Sequence, residues 1–351
     1  SVIGHGNEKV INAIKNQVGK LIACHSSLYN DTRAELIKKI VSITPKGLDS
    51  LFFTNSGAES VETAIKLARK YTGRKEIIAM MRSYHGKTFG ALSVTWNSKY
   101  RSPFLPLVPG VKFVPFGRSD KVRKVITEDT AAIIVEPIQG EGGIFVSPDG
   151  YLKELKEISD EKNIPLIFDE VQTGFGRTGK LFACEHWNIA PNILCLAKAA
   201  GGGFPLGLTI AEKHIMSSLG IGEHSSTFGG NPVTCAAASA SLDVILGEKL
   251  WEKAEVSGNY FKGRLTKLAD KCKIIREVRG LGLMIGAELK FDVKDIITGM
   301  LEKGVIVLSC GTHVLRFLPP CIITTEQIDE IVDKLEFCLV EKEQEKYAVN
   351  E

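Results

Sequence analysis

The sequence has 351 residues, of which 44% are hydrophobic and 24% charged, and its formal net charge is +3. A chain of this length can bury a large core and usually divides into more than one domain. The small net charge does not indicate nucleic-acid or membrane-surface binding, and no run of 18 apolar residues predicts a membrane-spanning helix. The first ten residues lack the basic and apolar regions of a signal peptide, so we expect a cytoplasmic protein.

Along the chain, apolar residues recur at helical and strand spacings. In chain order these patterns predict helical structure over 10–47, a strand over 50–55, a helix over 56–71, strands over 76–81 and 131–135, a helix over 151–163, and strands over 165–168 and 193–197. Ser56 and Glu59 have the spacing of a capping box at the start of the second helix. The alternation of strands and helices predicts an α/β fold with a mostly parallel sheet, to which residues 209–211 could add an antiparallel strand.

The pattern changes after the largely helical segment 231–271. Strand-like segments interrupted by glycine are predicted over 274–289, 304–308 and 313–317, followed by a helix over 325–343. We therefore expect a smaller α+β domain, against which the N-terminal helical residues pack. The predicted division is residues 1–44 for the N-terminal part of the small domain, 45–240 for the large domain and 241–351 for the C-terminal part of the small domain.

The eight cysteines show no CxxC spacing, and several lie in apolar runs. This distribution is typical of reduced core residues of a cytosolic protein. We therefore expect neither a metal site nor disulfides.

Lys198 ends the apolar run 193–197, and three glycines follow at 201–203. Desolvation at such a position lowers the pKa of a lysine and makes its amine nucleophilic, as Schiff-base chemistry requires. The glycines allow backbone or a ligand to approach closely. A lysine at a strand end is more often a solvated cap, so this segment alone favours the ordinary interpretation.

Asp169 ends the buried strand 165–168 and gives Lys198 a partner. The carboxyl ends of neighbouring parallel strands face one crevice, so the two side chains should lie together. A buried carboxylate beside a Schiff-base lysine suits pyridoxal 5'-phosphate (PLP), because the carboxylate keeps the pyridine nitrogen protonated. Asp169 could instead be a helix cap or a structural ion-pair partner, but the two residues together favour the functional interpretation.

Six segments resemble, in order, the motifs of class III PLP-dependent aminotransferases, the family of the 4-aminobutyrate, ornithine and acetylornithine aminotransferases. They are TNSGAESVETAIKLAR at 54–69, YHG at 84–86, EPIQGEGG at 136–143, FDEVQTGFGRTG at 168–179, AKAAGGGFPLG at 197–207 and STFGGNP at 226–232. The resemblance implies fold type I of the PLP-dependent transferases, with a mostly parallel seven-stranded sheet in a large PLP-binding domain and a smaller α+β domain.

The resemblance also implies roles for residues around the cofactor. Lys198 would hold PLP as a Schiff base and transfer the proton, and Asp169 would pair with the pyridine nitrogen. Gln172 would bond the phenolic oxygen, and Tyr84 would stack on the ring. The role of His85 stays open.

The phosphate of PLP would lie at the start of the helix that follows strand 50–55. Ser56, Gly57 and Ala58 match the triplet that binds it, and backbone N–H groups at a helix N-terminus favour an anion. Thr227 matches a threonine that reaches the phosphate of the partner subunit, so we expect a homodimer. Glu136 ends strand 131–135 facing the crevice, where a supporting ion pair is as good an explanation as direct function.

Substrate contacts are implied for two residues. Arg316 would bind a substrate carboxylate, since a lone arginine between apolar neighbours needs an anionic partner. Glu141 would pair with Arg316 while an ω-amino substrate is bound and move away for 2-oxoglutarate. The family's second carboxylate-binding arginine is expected in an N-terminal segment that this sequence does not include, and we also expect family residues to be missing around 114–124 and 289–292.

The sequence therefore predicts transamination of an ω-amino acid, with 4-aminobutyrate as the first choice of donor and 2-oxoglutarate as acceptor. An amino-acid racemase or epimerase of the same family and an ornithine or acetylornithine aminotransferase remain alternatives. A non-catalytic binding protein is disfavoured, because a binder does not need Lys198, Asp169 and Gln172 together.

Overall fold

The computed structural model describes residues 2–348. The strands are β1 (Leu48–Thr54), β2 (Glu76–Met80), β3 (Val111–Val114), β4 (Thr130–Val135), β5 (Ile138–Gln139), β6 (Phe145–Val146), β7 (Leu166–Asp169), β8 (Ile193–Leu196), β9 (Gly207–Glu212), β10 (Ile275–Leu281), β11 (Met284–Leu289), β12 (Leu308–Cys310) and β13 (Val314–Phe317). The helices are α1 (Glu8–Val18), α2 (Asp31–Ile43), α3 (Gly57–Thr72), α4 (Phe89–Val94), α5 (Ser98–Arg101), α6 (Ser119–Val125), α7 (Tyr151–Lys162), α8 (Lys213–Met216), α9 (Pro232–Gly247), α10 (Leu250–Lys271), α11 (Lys294–Glu302) and α12 (Thr325–Ala348).

The larger sheet has seven strands in the order β1-β9-β8-β7-β4-β2-β3. All its pairs are parallel except those of β9, which runs antiparallel to both β1 and β8. This confirms the predicted fold class, and the strand around 209–211 is the antiparallel member.

Both faces of the larger sheet are covered, which explains why its central strands read as unbroken apolar runs. On one face Val61 and Leu67 of α3 pack in the same cluster as Ile77 and Ile167. On the other, α7 contributes Leu152 and Leu155 to the cluster that contains Phe168. The successive side chains Ile167 and Phe168 therefore point to opposite faces, as a strand requires.

The smaller sheet is antiparallel, with strand order β10-β11-β13-β12. Helices α10 and α11 contact this sheet, and α12 packs against these two helices. This is the α+β region predicted after residue 271. The expected packing of the N-terminal helices on it is not the main arrangement, because α1 and α2 contact α9, and α2 also contacts β1. A hydrogen bond of 2.8 Å from the N–H of Cys321 to the carbonyl oxygen of Val2 connects the N-terminal residues to the segment that follows the smaller sheet. The domain borders remain predictions.

Several local predictions differ from the structure. The helical pattern over 10–47 divides into α1 and α2, because Gly19 ends the first helix and Asn30 caps the second. The strand expected over 304–308 lies later, as β12, and β3, β5 and β6 were not predicted. Strands β5 and β6 have two residues each, which is too few to show a period. All eight cysteines are free and seven are buried. Between residues 2 and 348, no helix is both long and apolar enough to cross a membrane.

Candidate active site

A cavity of about 620 Å³ opens at the carboxyl edge of the larger sheet. Strands β1, β7 and β8 all end at this edge, so the residues that follow them converge there. Of the predicted residues, the cavity lining includes Ser56, Gly57, Ala58, Tyr84, Glu136, Glu141, Asp169, Gln172 and Lys198. Topology thus brings together residues that are up to 142 positions apart in the sequence, from Ser56 to Lys198.

Lys198 is the second residue after β8 and begins a 3₁₀ turn that ends at Gly201. Its φ of +43° is in the left-handed region, an uncommon and strained conformation for a residue with a side chain, which typically occurs at functional sites. The side chain is accessible from the cavity, yet protein surrounds most of it. The resulting desolvation lowers the pKa of Lys198, although the charge of Asp169 opposes the shift. A neutral amine, the nucleophilic form, is therefore easier to reach.

Asp169 is only 5% exposed and lies beside His85, which is fully enclosed. The Nδ1 of His85 is 2.7 Å from Asp169 Oδ2, and the backbone N–H of Val171 donates to Oδ1 at 3.0 Å. Burial lowers the pKa of His85, but the hydrogen bond and charge of Asp169 outweigh it and raise the pKa overall. His85 and Asp169 thus form a buried hydrogen-bonded pair, which is the contact of His85 that sequence analysis could not assign.

The start of α3 has the features that favour an anion. Ser56 caps the helix, since its Oγ accepts the N–H of Glu59 at 3.2 Å, while the first-turn amides have no intrahelical acceptor. The predicted capping box would have Glu59 accept the backbone N–H of Ser56. Its Oε2 instead accepts the N–H of the preceding residue, Asn55, at 2.7 Å. Gly57 is required here, as a Cβ would lie 2.6 Å from Val171 Cγ1. A side chain at Gly207 would overlap the carbonyl oxygen of Ser56, so β9 also needs a glycine.

Polar atoms without a partner mark where a ligand would bind. The Oε1 of Gln172 is buried and has no hydrogen-bond partner within residues 2–348, and the same is true of His85 Nε2. Gln172 lines the cavity, so a ligand group there could complete its bonding. Tyr84 contributes an aromatic side chain to the lining and meets Tyr100 edge-on, with ring centroids 5.9 Å apart.

Glu136 is 5% exposed at the end of β4. Its Oε1 accepts the N–H of Tyr84 and its Oε2 that of Gly140, both at 3.0 Å, so it connects two segments that line the cavity. Burial raises the pKa of Glu136 to about 7, with a further contribution from the charge of Asp169. Glu136 thus supports the geometry of the site.

We expect the stability of the protein without cofactor to depend on pH through Glu136. Its folded pKa lies above its unfolded value, so the folded state retains a proton that the unfolded chain has lost. The free energy of unfolding should therefore fall as pH rises from about 4.5 to about 7, and Glu136→Gln should remove this part of the slope. Thermal midpoints measured across the window test this, with Glu157→Gln on the exposed face of α7 as control. Parallel profiles for wild type and Glu136→Gln would contradict it.

Arg316 on β13 is 9% exposed and forms an ion pair with Glu141. Glu141 also lines the cavity, so it connects Arg316 to the cavity. This is the pair that the resemblance implied. Thr227 lies elsewhere, on an exposed surface shared with Asn55 and His224. Its predicted contact involves a second subunit and stays a prediction.

Lys87 was not singled out from the sequence. It lines the cavity directly after the YHG segment, and its Nζ lies 4.6 Å from the ring centroid of Tyr100. Its position next to a recognised motif was the only available signal.

The lysine, the buried carboxylate, the anion site and the unpartnered amide together fit one cofactor, PLP, and define a PLP-dependent aminotransferase site. The model of the family "Aminotransferase class-III" matches residues 1–339, and the chain belongs to this family. It is 48% identical to the acetylornithine aminotransferase of Methanocaldococcus jannaschii, over 95% of this chain and 85% of that protein.

Two further matches are informative. The chain is 44% identical to the [LysW]-aminoadipate semialdehyde/glutamate semialdehyde transaminase of Sulfolobus acidocaldarius, over 93% of this chain and 84% of that protein. It is also similar to a crystal structure of ornithine aminotransferase from Toxoplasma gondii with partial occupancy of PLP. That match has a TM-score of 0.94 and 32% identity, and covers 98% of this chain and 84% of the other. Class III membership and PLP dependence are thus shown.

Proposed function

We propose that the enzyme transfers the ω-amino group of an N-acylated ornithine to 2-oxoglutarate. The ion pair between Glu141 and Arg316 carries this proposal. While the pair is formed, Arg316 is neutralised, so a donor without a carboxylate next to its reacting amine can bind. When the pair opens, Arg316 can bind the carboxylate of 2-oxoglutarate through its planar fork.

The other end of the donor needs a second cation. Lys87 supplies one in the lining of the cavity, where it could hold the distal carboxylate of an acylated ornithine. The relative from M. jannaschii, named an acetylornithine aminotransferase, supports this donor class. The first choice from the sequence, 4-aminobutyrate, remains a prediction that these relatives do not support.

A second cavity favours larger donors as a further candidate class. It has a volume of about 770 Å³, shares Tyr84 and Glu141 with the first cavity, and is lined by Arg82, Lys99 and Arg101. A donor whose acyl group carries negative charge could extend into it. The S. acidocaldarius relative, named for a [LysW]-linked semialdehyde, supports testing this class.

The residues divide the chemistry in the following way. When bound, PLP supplies an electron-accepting ring and an aldehyde that the Lys198 amine can hold covalently. Amides at the start of α3 bind its phosphate, and Asp169, held by His85, keeps a proton on the ring nitrogen. The Lys198 amine would move a proton between the donor carbon and the cofactor as general acid and base.

The oligomeric state and the cellular location belong to the same proposal. We propose a homodimer in which Thr227 of one subunit contacts the phosphate bound by the other, as the family resemblance implies. A cytoplasmic location remains a prediction, consistent with the eight free cysteines.

A donor panel with 2-oxoglutarate as acceptor tests the function. We expect kcat/KM for N-acetylornithine to exceed that for 4-aminobutyrate by about tenfold or more, since both donors carry a distal carboxylate but only N-acetylornithine adds an acyl group there. Lys87→Ala should raise KM for N-acetylornithine, whereas Lys70→Ala on the surface of α3 should not. A preference for 4-aminobutyrate would refute the donor assignment. Loss of optical rotation from a single amino acid, without an acceptor, would instead favour the racemase alternative.

A further inference from the structure

The loop between β5 and β6, which carries Glu141, lies on the smaller sheet between two arginines. Arg279 on β10 is paired with Gly286 on β11, and Gly286 is paired with Arg316 on β13. Directly paired residues share a face of a sheet, so the two arginines flank the glycine. Ile144 of the loop is fully buried and packs over Gly286. A Cβ added at Gly286 would lie 3.0 Å from the Cβ of Ile144.

Each arginine holds a different part of the loop. Arg316 pairs with the Glu141 side chain, while the Nε of Arg279 donates to Gly143 O at 2.9 Å. The Arg279 guanidinium also lies 4.2 Å from the ring centroid of Phe145, at the end of the loop. Arg279 therefore anchors the backbone two residues beyond the glutamate that has to move.

Arg279 is itself fixed to the sheet. Its Nη1 donates to Glu288 Oε2 on β11 and to Glu277 Oε2, both at 2.7 Å, and its side chain is 9% exposed. Opening the pair between Glu141 and Arg316 breaks none of these contacts. The anchor at Gly143 can thus persist while the glutamate side chain swings, which keeps Glu141 close enough to Arg316 to re-form the pair.

We propose that Arg279 is a positioning residue that sets how strongly Glu141 competes with substrate carboxylates for Arg316, and thereby sets donor selectivity. The inference rests on the proposed function, in which Glu141 and the carboxylate exclude one another. A tethered glutamate competes through its effective concentration, which depends on how tightly the loop is held. Loosening the anchor should therefore favour the carboxylate.

The test measures binding of glutarate, a dicarboxylate that cannot react, to the holoenzyme. In Arg279→Met we expect glutarate to bind about fivefold more tightly or better, a typical size for coupling between sites, while kcat/KM for N-acetylornithine falls. General damage, or the loss of a positive charge, would weaken glutarate binding. Arg279→Lys keeps a charge near Glu288 but loses the Nε donor and the planar fork, so it should shift glutarate binding in the same direction with a smaller loss of thermal stability.

A double-mutant cycle separates this inference from the proposed function. Glu141→Ala should tighten glutarate binding by itself, and Arg279→Met should then have no further effect in that background. Arg276→Met is the matched control, since Arg276 lies on the same strand and bonds Glu288 Oε1 at 2.9 Å, but is 60% exposed at its side chain. Weaker glutarate binding in Arg279→Met, or an equal shift with and without Glu141, would overturn the role of Arg279. Unchanged binding in Glu141→Ala would refute the competition at Arg316, and with it both proposals.

Discussion

Replacing Lys198 with alanine should lower kcat for transamination by about 10⁴-fold or more, because the variant loses both the covalent attachment of the cofactor and the proton-transferring amine. The desolvation that lowers the pKa of Lys198 makes a neutral amine available, and an alanine cannot replace it. Single-turnover measurement with donor and bound PLP gives the rate of the first half-reaction.

Two further variants define the role of this amine. Lys198→Arg keeps a cation of similar length but cannot deprotonate, so it should be as inactive as the alanine variant. Lys213→Ala, at an exposed position after β9, should keep wild-type activity. Added methylamine should restore part of the rate to Lys198→Ala, since the truncated side chain leaves room in the cavity. Retained transamination in Lys198→Ala without added amine would refute the assignment.

Asp169→Asn should lower kcat by about 10²–10³-fold, the cost typical of removing one preorganised electrostatic contact to the reacting group. An amide cannot hold a proton on the cofactor ring, and it also removes the charge and hydrogen bond that raise the pKa of His85. Stopped-flow kinetics give kcat, and an NMR titration of His85 should show its pKa lowered.

The controls for Asp169 separate charge from packing. Asp169→Glu preserves the charge and should retain more activity than the amide variant, while thermal midpoints report whether either variant is unfolded. A folded Asp169→Asn enzyme with nearly wild-type kcat would show that the carboxylate is not needed. An unchanged His85 titration would contradict the proposed coupling between the two residues.

The sequence predicted the larger sheet and the centre of the site because their signals are local. Asp169 and Lys198 lie at or just beyond the ends of apolar strands, and Gly57 begins a capped helix, so each can be recognised from a few neighbouring residues. The mostly parallel arrangement of the sheet then follows from the alternation with helices, whereas the order of its strands was not predicted.

The residues that were missed act through distant partners. His85 contacts Asp169 across 84 positions and Arg279 contacts Gly143 across 136, and neither pairing leaves a periodic pattern. The packing of α1 and α2 on α9 was missed for the same reason, since an apolar helix face does not specify which surface covers it. The sequence did not identify the donor either, because the choice of donor depends on how the two sheets are placed relative to each other.

The antiparallel strand β9 has a consequence for how this enzyme can acquire new substrates. It pairs with β1, which leads into the start of α3, and with β8, which leads into Lys198. The ends of β1 and β8 are therefore held two strand spacings apart, each of about 4.8 Å. Arg316 and Glu141, by contrast, depend on the other sheet and the loop seated on it. We therefore expect substitutions of Arg316 or Arg279 in the smaller sheet to change donor choice while the spacing of β1 and β8 at the cofactor site is kept.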